Sequence, residues 1–189
     1  TQEVVNDCNS QRRPGVMTGF YTLDSSIGSL VRGELVIVAA RPSVGKTALA
    51  MQIAEHVATK EKKVFVVSLE MKDRELIHRM VVKHSAIDSR KIRNRSLNET
   101  EQRKIIVTGE AMDWLPMRVF APARATVPQI KAITKLANAK GRIELLVVDY
   151  LGLIAQTGHR LEKHEHIGQA VQELKAIAKE LDIPVLACC

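Results

Sequence analysis

Five short apolar runs punctuate the chain, and longer stretches of mixed polarity separate them. "ELVIVAA" (34–40), "KVFVVSLE" (63–70), "MRVF" (117–120), "ELLVVD" (144–149) and "IPVLACC" (183–189) are continuous rather than alternating. That is the pattern of strands buried on both faces. Between them, apolar residues return at helical spacing. A helix from about Lys46 to Lys60 follows a glycine-containing turn. Another, from about Asp73 to Ala86, is expected to place Leu76, Ile77, Met80, Val81 and His84 on one face. Asn98 with Glu101 three residues on forms a capping-box pattern that opens a helix to about Met112. Thr126 and Pro128 open the next helix, and Gly141 ends it. Ile167, Val171, Leu174, Ala178 and Leu181, spaced four, three, four and three, mark a long final helix. Trp114 and Phe120 are expected to be packing residues.

Buried strands alternating with helices predict an α/β fold, with a mainly parallel sheet covered by helices on both faces. Sites in such sheets gather at the carboxyl ends of the strands. That edge is where the chemistry-bearing residues fall. "ARPSVGKT" (40–47) lies between the first strand and the first helix. It follows the phosphate-loop spacing GxxxxGK[ST], with Ala40 in place of the first glycine. Gly45 lets the backbone curl around phosphate oxygens, and successive N–H groups at the helix start supply positive potential. Ala40, Arg41, Pro42, Ser43, Val44, Gly45, Lys46, Thr47 and Ala48 are therefore the candidate nucleotide-binding residues. Lys46 is expected to reach the β- and γ-phosphates, and the Thr47 hydroxyl to ligate Mg²⁺. Asp149 ends the fourth strand, where a carboxylate holds the Mg²⁺ hydration shell opposite Thr47.

Many phosphate-cleaving enzymes place a glutamate directly after that aspartate, but here the position is Tyr150, which cannot polarise water as a carboxylate does. "VVSLEM" offers Glu70 at the carboxyl end of the second strand, on the same sheet edge. A carboxylate buried near that edge would orient a water toward the γ-phosphate. No NKxD sequence for guanine selection and no LSGGQ sequence of transporter ATPases is present.

Charge adds a partner class. The 189 residues carry 28 Lys plus Arg against 21 Asp plus Glu, a net +7, which suits a polyanionic partner. Aromatics are only 3%, which argues against a sheet-type platform for stacking bases. Three cysteines without a CxxC pair fit a reducing compartment without structural disulfides or zinc, and no apolar run is long enough to span a membrane. Cytoplasmic residence is expected. "AQTGHRLEKHEHIG" (155–168) reads as a basic polar loop, in which Arg160 and Lys163 are candidate phosphate contacts or simply solvated charges. Its His159, His164 and His166 read as surface residues rather than a metal cluster. "SRKIRNRS" (89–96) reads as a charge run between two helices, open to DNA, a neighbour or solvent.

Taken together, "TGFYTLD" (18–24), "RGELVIVAARPSVGKTALAMQIA" (32–54), "VVSLEM" (66–71), "LLVVDYLGLI" (145–154) and "VQELKAIAKELDIPVLA" (171–187) resemble the C-terminal motor domain of DnaB-type replicative DNA helicases. The resemblance implies a RecA-like P-loop ATPase core, ATP with Mg²⁺, and a ring-shaped homo-hexamer with ATP between subunits. It also implies five-prime to three-prime translocation on single-stranded DNA, and primase and helicase loader as partners. Lys46, Thr47, Glu70 and Asp149 match the family's phosphate, magnesium, catalytic and metal-linked residues, and the 155–168 loop matches a central-channel loop. The first 14 residues are expected to be the tail of a linker, residues 15–189 the motor domain, and a nucleotide-sensing glutamine and an arginine finger to lie beyond Cys189. A RecA-like recombinase-type ATPase and an ATP-gated loader or regulator share some of these features and remain alternatives.

Overall fold

The computed structural model describes residues 15–41, 43–154 and 163–189. The chain divides into two compact units, one formed by residues up to Glu70 with Pro116–Cys189, the other by Met71–Leu115.

The larger unit is built on five strands, β3 (Leu35–Val38), β4 (Val64–Ser68), β5 (Met117–Phe120), β6 (Leu145–Asp149) and β7 (Val185–Cys188), in the order β3-β7-β6-β4-β5. Every pairing is parallel. The three inner strands are buried along their whole length, whereas the outer β3 and β5 are only partly covered. This is why the inner strands read as unbroken apolar runs. Each predicted strand is present, trimmed by at most two residues at an end. A two-stranded antiparallel pair, β1 (Gly15–Val16) with β2 (Leu30–Val31), precedes the sheet. Between them lies α1 (Tyr21–Ile27), whose Asp24 carboxylate accepts from the Thr18 backbone N–H (2.8 Å), the Thr18 hydroxyl (2.7 Å) and the Gly19 N–H (3.1 Å). Those three bonds explain why Thr18, Gly19 and Asp24 belong to one stretch, and α1 itself carried no hydrophobic period.

Helices α2 (Lys46–Thr59), α6 (Val127–Ala139) and α7 (Lys163–Leu181) complete this unit. Thr126 and Gln129 form a full capping box at the start of α6, and a proline occupies its first turn. Along α7 the buried stripe is Ala170, Leu174, Ile177 and Ala178, with Val171 and Leu181 packed at its margin. Phe120 packs against the same core. The helix begins at Lys163, so His164 and His166 are helical rather than part of a loop, and His166 Nε2 lies 2.7 Å from the Ile154 carbonyl. Residues 1–14, Pro42, His159 and Arg160, and the side chain of Lys163, lie outside what is described.

The smaller unit holds α3 (Asp73–Ser85), α4 (Ser89–Arg93) and α5 (Glu99–Asp113). Of the predicted α3 face only Leu76 and Met80 are buried; Ile77 is 45% exposed, Val81 half-buried and His84 exposed. A unit this small covers only a narrow helical stripe. Trp114 is not a packing residue: it caps α5, a helix with no buried residue of its own, and is 88% exposed. The "SRKIR" charge run is itself a short helix, capped by Asp88, whose carboxylate accepts from the Arg90 N–H at 2.8 Å.

With so little burial, α5 depends on its ends. Asn98 Oδ1 accepts from the Glu101 N–H (2.8 Å) and Glu101 Oε2 from the Asn98 N–H (3.0 Å). Asn98→Ala should cost about 1 kcal/mol and speed amide hydrogen exchange in the first turn of α5. Unchanged protection there would show that the cap is not what holds the helix.

Candidate nucleotide site

The β-sheet order brings four strand ends to one edge. Moving across it from β3, the carboxyl ends carry the 40–47 loop, then Cys188, then Asp149, then Glu70 two residues past β4. With strands about 4.8 Å apart, the ends of β3 and β4 lie three spacings, about 14 Å, apart along this edge, with β7 and β6 between them.

The loop is held by its own backbone and by its neighbour strand. The Ala40 N–H donates to the Cys189 carbonyl at 3.3 Å, and the Cys189 N–H to the Val38 carbonyl at 2.9 Å. Positive φ occurs at Ser43 (65°) and at Gly45 (107°), not at Ala40. Alanine in place of the first loop glycine is therefore without strain, whereas a side chain at Gly45, the N-cap of α2, would be strained. Arg41, Ser43, Val44, Gly45 and Ala48 are exposed around the loop, and Lys46 and Thr47 are half-buried.

Lys46 Nζ donates to the Ala40 carbonyl at 2.7 Å, folding the ammonium back over the loop. Thr47 Oγ1 donates to Asp149 Oδ2 at 2.7 Å, across 102 residues of sequence. Asp149 is 3% exposed, and its second oxygen, Oδ1, is buried with no hydrogen-bond partner among the described residues. A buried carboxylate oxygen without a donor is costly, and a cation offsets that cost. The hydroxyl, the carboxylate and the orphaned oxygen fit a Mg²⁺-nucleotide, the group their residue types implied. Asp149 is further fixed by its carbonyl, which accepts from the Leu69 N–H at 2.6 Å beside the Ser68–Asp149 register pair.

Glu70 lies on this edge as expected, but it is exposed rather than buried. It sits beyond the last paired residue of β4, where no neighbouring strand covers it. Tyr150, the residue after Asp149, places its ring near Lys46, with the ammonium 6.0 Å from the ring centroid.

No motif pointed to Cys188. It is fully buried, and burial, followed by the neighbouring Asp149 charge, pushes its thiol up to about 12, with Glu70 adding and Lys46 opposing. One thiol thus feels all three charged site residues, because β7 inserts between β3 and β6. Only the strand order could have revealed this. In chelator-treated native protein at pH 8, Cys188 should resist iodoacetamide, and peptide mapping should find it alkylated only after unfolding. Fast native labelling would contradict this burial and charge.

The model of the DnaB-like helicase C terminal domain matches residues 15–189. The chain belongs to this family. Among curated relatives, a replicative DNA helicase of Bacillus subtilis is 34% identical over 175 residues, covering 92% of this chain and 38% of the relative. One from Pasteurella multocida is 35% identical over 177 residues, with the same two coverages. The chain thus spans about two fifths of these relatives. A DnaB-like replicative helicase solved in a study of its interactions with primase superposes with a TM-score of 0.89 at 29% identity, covering 99% of this chain and 47% of that one. A second solved structure, described as an ATPase domain, gives 0.88 at 28% identity, covering 99% and 68%. Both share the RecA-like layout of a parallel sheet with surrounding helices. The family's relatives are replicative helicases, and neither the recombinase nor the loader alternative gains support from them.

Proposed function

We propose that this chain is the ATP-hydrolysing motor of a replicative DNA helicase. The observation that carries the proposal is the 2.7 Å bond between Thr47 and Asp149, which joins the phosphate loop to the fourth sequence strand and leaves one buried carboxylate oxygen open. Lys46 and the loop N–H groups bind the phosphates. Thr47 and Asp149 hold Mg²⁺, which when bound neutralises charge on the β- and γ-phosphates. Glu70 orients the attacking water and takes its proton.

In the whole protein this motor assembles as a homo-hexameric ring, moves five-prime to three-prime on single-stranded DNA and unwinds duplex at the replication fork in the cytoplasm. Primase and a helicase loader are its partners. Arg160 and Lys163 contact DNA phosphates. The net +7 supports a polyanionic track, and no helix among the described residues is long and apolar enough to cross a membrane.

The test uses the full-length protein on a forked duplex with either a five-prime or a three-prime single-stranded tail. ATP-dependent unwinding that needs the five-prime tail is expected. DNA binding with no unwinding on either substrate would refute the helicase reading.

A further inference from the structure

Lys46 has two described partners on this edge: the Ala40 carbonyl and the ring of Tyr150. The ring position is itself enforced. A Cβ added to Gly152 would lie 2.6 Å from Tyr150 Cε2, 3.4 Å from Cδ2 and 3.5 Å from Cζ, so the ring packs directly on the Gly152 backbone. Gly152 lies in the one-turn 3₁₀ segment Leu151–Leu153, whose Leu151 is fully buried and anchors it to the core. Ring, glycine and anchor thus form one support standing beside the phosphate loop.

We propose that Tyr150 is a positioning residue for Lys46, holding its ammonium over the loop, and that Gly152 is there to make room for the ring. The inference rests on reading Lys46 as the phosphate lysine. An aromatic face attracts a cation through its quadrupole without neutralising it, so the full charge stays available to the phosphates. When nucleotide binds, Lys46 exchanges the Ala40 carbonyl for phosphate oxygens. The ring remains as a wall that limits where the ammonium can go. Without that wall the long side chain loses more rotamer freedom on binding.

The test is a set of titrations on the full-length protein with fluorescent ATP, ADP and AMP analogues. Lys46 reaches the β- and γ-phosphates, which AMP lacks. Tyr150→Leu should therefore weaken ATP and ADP about two- to fivefold while leaving AMP unchanged. Tyr150→Phe, which keeps the ring face, should match wild type. Gly152→Ala should act like Tyr150→Leu by displacing the ring, and it carries the same test if the leucine variant does not fold. Equal losses for ATP and AMP, or a phenylalanine variant as weak as leucine, would overturn the proposal. Wild type and Lys46→Ala are titrated alongside. If wild type fails to bind ATP, or Lys46→Ala still binds it, the phosphate-site reading falls and this proposal with it. If those two behave as expected while Tyr150→Leu matches wild type, only the positioning role falls.

Discussion

Lys46→Ala should take ATP binding below detection, a loss of more than about 100-fold. In the free protein the Lys46 ammonium is half-buried, and its one hydrogen bond among the described residues goes to a backbone carbonyl 2.7 Å away, so it can exchange that partner for phosphate oxygens. Each charge-assisted hydrogen bond it makes there contributes about 1.5–3 kcal/mol, and two of them account for two decades or more in affinity. The loop N–H groups remain in the variant, but they are partial dipoles and do not replace a full charge. Folding should survive, because alanine is the best helix former and position 46 opens α2. Calorimetric titration with Mg²⁺-ATP, beside a thermal melt showing a native transition, checks both halves. Retained affinity in a folded variant would remove Lys46 and the 40–47 loop from the site.

The phosphate-loop spacing singles out Lys46 and Thr47 in the sequence, and the end of the fourth apolar run singles out Asp149. The structure brings the last two into direct contact. The strands were legible for a simpler reason: β4, β6 and β7 are covered on both faces, so nothing polar interrupts them. Their order was not. β7 comes last in sequence yet lies between β3 and β6, and no local pattern encodes that insertion. Everything that depends on it escaped the sequence, including Cys188 beside Asp149 and the Cys189 carbonyl that receives the Ala40 N–H.

The errors have a common physical origin as well. Periodicity reports how much apolar surface a segment offers, not how much of it is covered. Ile77 on α3 and Trp114 at the end of α5 offer apolar surface that the 71–115 unit leaves uncovered. Conversely, α4 lacks an apolar face and its sequence reads as a charge run, although Asp88 ahead of it is a capping residue. The basic 155–168 stretch hid the start of α7 because Lys163, His164 and Glu165 carry no hydrophobic signal for a helix that is packed only from Ala170 onward.

Glu70→Gln should leave ATP affinity nearly unchanged and slow hydrolysis by about 10²–10⁴-fold, the usual loss on removing a general base. The substitution keeps size and hydrogen-bonding reach but removes the charge that accepts the proton. Glu70 is exposed at the end of its strand, so the fold should not suffer. The measurement is kcat and KM for ATP in the full-length protein with single-stranded DNA present. A fall in kcat with KM preserved supports the base. Asp149→Asn provides the contrast, because Asp149 is buried against Thr47: its loss should appear as a raised Mg²⁺ requirement. Position 150 sharpens the result, since Tyr150 leaves no carboxylate directly after β6 to take over. Turnover of Glu70→Gln within about threefold of wild type, well short of a general-base effect, would therefore exclude both places where a base is sought in this chain. The water would then have to be oriented by a residue other than Glu70.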